Sequence, residues 1–227
     1  MKLYILLLTI TIAFAAPAFG QDAATTADKE AAYTKTITTR AEKIVATLQF
    51  TDAAKNARLV KIIADQYRNL NNIHTSRDEQ VKAIKASGDE KAVREEKIKS
   101  AENDAAEKLG KLHDAYLSQL SAELTPAQVD QVKDGMTYGV VNLTYNGYLD
   151  MLPQLTNDQK QQIKAWLTEA REHAMDAESA EKKHWWFGKY KGRINNYLST
   201  AGYDLKKEGE AWEKRRQETK TKNQNNP

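Results

Sequence analysis

The sequence predicts an all-α protein: a long antiparallel helical hairpin packed with a shorter helical bundle. Three observations carry this. Two motifs, Leu124-Thr125-Pro126-Ala127-Gln128 and Leu155-Thr156-Asn157-Asp158-Gln159, spell out helix starts. Apolar residues recur at steps of three and four over long stretches. Only 4 Pro and 10 Gly interrupt 227 residues, 29% of them charged. Such a balance favours helix over sheet.

In chain order, residues 1–20 read as a secretory leader. Lys2 supplies the charged start, an apolar run follows, and Ala18-Phe19-Gly20 makes a small-x-small cleavage site. The run is too short for a membrane span, so none is expected once the leader is removed. The absence of Cys excludes a lipid-bearing cysteine, disulfides and thiol chemistry. The expected location is therefore periplasmic or secreted. Residues 21–28 read as a disordered lead-in, 29–220 as one helical domain, and 221–227 as a disordered tail.

A first helix is expected over residues 29–48, with Ala41, Ile44, Val45 and Leu48 at helical spacing. Thr51 reads as the cap of a second helix reaching residue 86. Val60, Ile63, Tyr67, Leu70, His74, Arg77, Val81 and Ile84 alternate three- and four-residue steps, a seam for another long helix. Ser87-Gly88-Asp89 breaks it, with Asp89 placed to cap a third helix over residues 90–122. Folding about residue 88 brings position 74 near 102. His74, Arg77 and Glu102 are therefore expected to form a polar layer on the seam.

A fourth helix starts at Pro126 under a capping box of Thr125 and Gln128, and runs to Pro153. Gly135, Gly139 and Gly147 lie within it among Tyr138, Tyr145 and Tyr148, a surface for close helix approach or a ligand groove. Thr156 and Gln159 form the second capping box, ahead of a fifth helix with Ile163, Trp166, Leu167, Ala170 and Ala174. Further helices are expected over residues 189–198 and 203–217.

The chemistry-bearing stretch lies at the start of this last part. Trp185, Trp186, Tyr190 and Tyr203 stand among Lys189, Lys191, Arg193 and Asn196. Ring faces beside cations and amides suit sugars and anionic polymers. The same rings could instead plug gaps between helix ends or meet a protein partner. From residue 182 onward there are twelve Lys/Arg against five Asp/Glu, so this end attracts anions. A leader makes nucleic acid a poor partner. Glu181-Lys182-Lys183-His184 has the Glu-x-x-His spacing of di-iron bundles, but it occurs once, so no metal site is expected. No phosphate-binding loop, dinucleotide fingerprint or nucleophile elbow is present. No catalytic residue and no cofactor are expected, and the chain does not read as an enzyme.

Two resemblances follow from these residues. The paired Leu-Thr-x-x-Gln motifs at Thr125 and Thr156 resemble those of the Spy/CpxP periplasmic chaperones, which implies holding unfolded protein clients. The stretch from Trp185 to Leu198, with Gly202-Tyr203-Asp204, resembles an uncharacterised secreted helical family of Bacteroidota. Members of that family often occur among polysaccharide-utilisation proteins. This implies an exported non-enzymatic binding or accessory protein for anionic or neutral glycans or the cell envelope. A Spy/CpxP-like chaperone is the alternative.

Overall fold

The computed structural model describes residues 25–224. The expected leader, residues 21–24 of the lead-in and residues 225–227 of the tail lie outside the described residues. Within the described residues the chain forms eight helices and no strand. They are α1 (Thr26–Ala46), α2 (Ala53–Ala86), α3 (Lys91–Glu123), α4 (Pro126–Met136), α5 (Val140–Met151), α6 (Asn157–Met175), α7 (Ala180–Thr200) and α8 (Leu205–Gln224). No helix among them is long and apolar enough to cross a membrane.

Local chemistry sets the ends. Helix α1 begins at Thr26 because Thr25 and Asp28 close a capping box, with Thr25 Oγ1 accepting from Asp28 N at 3.1 Å. Residues 25–28 therefore belong to the helical body, and at the other end α8 carries the helix into the expected tail as far as Gln224. The cap of α2 is Asp52 and not Thr51: its carboxylate accepts from Ala54 N and Lys55 N at 2.8 and 3.1 Å. The boxes at Thr125/Gln128 and Thr156/Gln159 form as their sequences require.

Helices α2 and α3 make the long antiparallel hairpin, turning at residues 87–90. Asp89 does not cap α3; it pairs with Lys97 at 2.7 Å, and Glu90 holds the cap position without a side-chain bond. Residues around Ile73 and Ser76 share a groove with Ala101, Asp104 and Ala105, the register that a turn at Gly88 dictates. No side chain between residues 75 and 100 is buried, so the far part of the hairpin is a bare two-helix ribbon.

The expected single helix from Pro126 to Pro153 is two helices. Gly139 N–H donates to Asp134 O at 2.8 Å, closing α4 with a Schellman turn. Tyr138 and Gly139 take φ of 61° and 65°, so the chain leaves α4 and re-enters helix as α5. Of the three glycines in this region, only Gly135 serves close approach: a Cβ there would stand 2.9 Å from Ile44 Cγ1.

Two apolar cores result. One joins α1 to α4 around Ile44, Leu59, Ile63, Tyr116, Leu120 and Met136, with Met175 reaching in from the end of α6. The other joins α5, α6 and α7 around Leu152, Ile163, Leu167, Phe187, Ile194 and Leu198. A polar corner at residues 171–178 ties them together. His74 Nε2–H donates to Asp176 O at 2.7 Å, and His113 Nδ1–H donates to the Asp176 carboxylate at 2.8 Å. Lys133 bonds Glu172 at 2.8 Å, and buried Arg171 bonds Asp134 at 2.8 Å and Asp130 at 2.5 Å.

This corner corrects the expected polar layer. His74 and Arg77 do lie on the hairpin, but the carboxylate they share is Glu178, at 3.8 and 3.5 Å, with Asp78 also on Arg77 at 2.7 Å, and not Glu102. Helix α3 turns its small residues Ala101 and Ala105 to α2, which leaves Glu102, one step further round, exposed.

Two predictions follow from this packing. Gly135→Ala must displace Ile44, a buried branched side chain, and overpacking of about 1–3 kcal/mol outweighs the gain in helix propensity. Gly147→Ala, with nothing within 4 Å of its new Cβ, should instead gain about 0.5–1 kcal/mol in urea unfolding.

Stability should also depend on pH. The Asp176 hydrogen bond raises the His113 pKa above its usual 6.5, with burial opposing and Glu172 assisting. Its contribution is complete below the unfolded value and is lost as pH rises through the folded one. Stability should therefore fall between about pH 6 and about pH 7.5 by an amount absent in His113→Gln. The window stops there because burial lowers Lys183 to about 8, and its titration acts in the opposite direction.

Candidate ligand-binding face

Helix α7 starts nine residues earlier than the sequence suggested, at Ala180, because Ser179 Oγ accepts from Lys182 N at 3.1 Å. The aromatic and basic stretch up to Leu198 is thus one helix, with Tyr203 beyond its end, and its period sorts the side chains. Lys183, Phe187, Tyr190, Ile194 and Leu198 face inward. Trp185, Trp186, Lys189, Arg193 and Tyr197 lie outside that stripe.

Helix α6 packs beside α7 and completes a band. Trp186 stacks on His173 at 4.3 Å and 16°, and Trp185 meets Trp186 edge-on at 5.0 Å. The Lys189 ammonium lies 5.6 Å from the Trp185 ring centre and 4.9 Å from that of Trp186. One turn on, the Arg193 guanidinium sits 4.5 Å over Trp166, whose ring meets Tyr197 edge-on at 5.3 Å. Arg193 also approaches Glu169 at 3.7 Å. The band runs about 18 Å along α7 from residue 185 to residue 197.

Trp185 is 55% exposed, whereas Trp186 is half-buried against His173. Each cation holds its neighbouring ring by a cation–π contact, so the aromatic edges are ordered before any ligand arrives. Such a surface offers flat apolar area, flanking donors and one carboxylate acceptor. His184 stacks on Tyr138 at 5.8 Å, so both imidazoles beside this region stand in ring stacks. Among the described residues, no three metal-ligating side chains converge.

The sequence model of one family, "Protein of unknown function (DUF3826)", matches residues 34–218. The chain belongs to this family. The matched span runs from α1 into α8 and contains the entire band. A search of curated proteins finds no match to the chain.

The structure separates the eight residues singled out in the sequence. Trp185, Trp186, Lys189 and Arg193 come together, and Asn196 continues their stripe one turn beyond Arg193. Tyr190 does not join them. It is 6% exposed in the α5–α7 core, where burial and the Glu169 carboxylate push its hydroxyl up to about 12. Lys191 is exposed but two residues, or about 200°, round the helix from Lys189. Tyr203 is half-buried and donates to Gln159 Oε1 at 2.8 Å, so it braces the start of α6.

Sequence reading missed Trp166, Glu169 and His173 as members of the band. Their spacing of three and four along α6 is a helical stripe, and that was the available signal. Trp166 was read as core because position alone cannot tell a seam-edge ring from a buried one.

These positions differ in what truncation should cost. Trp185→Ala removes a mostly exposed ring and should change unfolding free energy by less than about 0.5 kcal/mol. Phe187→Ala, two residues on and 1% exposed, should cost about 3–5 kcal/mol in the same denaturant experiment.

Proposed function

We propose that this is an exported, non-catalytic binding protein whose α6–α7 band stacks on the sugar rings of a glycan. The observation that supports it most is the exposed Trp185 beside Trp186, both flanked by Lys189. Sugar faces carry C–H groups that pack on aromatic rings, while hydroxyl and carboxylate groups take the lysine, arginine and asparagine donors. The leader-like residues 1–20 agree with export, and the resemblance to proteins of polysaccharide utilisation agrees with a glycan.

The chaperone reading finds less support. The exposed large apolar side chains among the described residues are Val93, Tyr138, Leu143 and Trp185, which stand on separate elements rather than in one cradle.

The test is a tryptophan-fluorescence titration with neutral and acidic oligosaccharides. A saturable spectral change is expected, with Kd raised about ten-fold in Trp185→Ala, the loss of one stacked ring. An unchanged Kd in that variant, or no response to any oligosaccharide, would overturn the reading. Suppression of client aggregation that survives Trp185→Ala would favour the chaperone.

A further inference from the structure

A crevice of about 580 Å³ opens between α1, α2, α4 and the start of α7. Its floor is apolar, made by Ile37, Ile44, Leu70 and Met136. Its polar lining is Tyr33, Arg40, Lys43, Tyr67, Tyr138 and Lys183, with Glu178 at one end. Nothing in the glycan reading uses these residues.

The charge in this crevice is one-sided. Lys183 is 6% exposed, and two of its three N–H groups donate to Met136 O at 3.2 Å and Met175 O at 3.4 Å. Its third donor has neither a carbonyl nor a carboxylate partner among the described residues. Arg40 and Lys43 form no ion pair among the described residues either. Of the carboxylates nearby, Asp176 accepts from His113 at 2.8 Å, Glu30 pairs with Arg68, and Glu178 lies 3.5 Å from Arg77, which itself bonds Asp78 at 2.7 Å. Two carbonyls only partly offset the buried ammonium, and the field of Asp176 on it is opposed by that of Arg40, so an anion in the adjoining space is stabilising. Burial, with Arg40 assisting and Asp176 opposing, lowers Lys183 to about 8.

The geometry around it suits the same ligand. Ala180, the first residue of α7, lines the crevice, and the amides of Ala180 and Glu181, which the Ser179 cap leaves over, favour negative charge. Tyr33 donates to Tyr67 O at 3.1 Å, while the Tyr67 hydroxyl has no hydrogen-bond partner among the described residues. Tyr138 stands at the rim, 56% exposed, on a positive φ that a glycine would adopt at less cost. The volume is that of a small-molecule site and far exceeds a bare inorganic ion.

We infer that this crevice binds a small organic anion. Its carboxylate or phosphate group would be held by Lys183, Arg40 and Lys43, and its body by the tyrosine rings and apolar floor. The inference does not rest on the α6–α7 band and stands if that reading fails.

The test is isothermal titration of the protein with glucuronate, glucose 6-phosphate and glucose. Saturable binding of at least one of the two anions is expected, and none of glucose; the anion that binds identifies the head group. Arg40→Gln replaces an exposed residue and should keep the fold, yet weaken binding about ten-fold or more. Trp185→Ala should leave it unchanged. Glucose binding as well as the anions, loss of binding in Trp185→Ala, equal affinity in Arg40→Gln, or no binding of either anion would each overturn the inference.

Discussion

Asp176 is the point on which the arrangement of the molecule depends. Its carbonyl takes a hydrogen bond from His74 of α2 and its carboxylate takes one from His113 of α3. The α6–α7 hairpin is thereby tied to the long α2–α3 hairpin. Apolar contact across this junction is thin, since Met175 is the one residue beyond α4 in the first buried cluster. Orientation therefore falls to directed polar bonds, which are specific in angle and costly to leave unmade. Arg171, Glu172 and Lys133 extend the same tie to α4.

The corner also sets where α7 begins. Three residues after Asp176, Ser179 caps the helix, and Lys183 then turns inward to Met136 and Met175 carbonyls. From that fixed start the helical period decides the rest. The inward stripe of Phe187, Tyr190, Ile194 and Leu198 locks the helix against α5 and α6. Trp185, Lys189 and Arg193 are then presented to solvent with no freedom to rotate inward. One helix so contributes to a core, a crevice and an exposed aromatic band.

Much of the fold was legible because it rests on local chemistry. The boxes at Thr125 and Thr156 needed only residues three apart, and the α2–α3 register needed only a turn at Gly88. Where local signals competed, reading failed. Thr51 and Asp52 are both good caps, and the carboxylate, with two amides to accept, took the place. Gly135, Gly139 and Gly147 look alike in sequence, yet Gly139 ends a helix, Gly135 meets Ile44, and Gly147 touches nothing. The bond from His74 to Asp176 spans 102 residues, and no periodicity forecasts it. For the same reason Glu178 was missed and Glu102 chosen. The aromatic band was half legible: its α7 members stand out by composition, but the α6 members came to notice only once the two helices lay side by side.

Under the proposed function, Trp185 and Trp186 meet the ligand while the rest of the molecule positions them. The chain has 4 Trp, at positions 166, 185, 186 and 212, so indole N–H signals in a nitrogen-15 spectrum report each separately. Trp212 is an internal control, on α8 with its indole bonded to Asp150 and Arg216 over its ring. In a titration with neutral and acidic oligosaccharides, the account predicts that the signals of Trp185 and Trp186 move together and saturate, with Trp166 following and Trp212 still. Movement of Trp212 alone, or four signals that stay in place across the whole series, would contradict it.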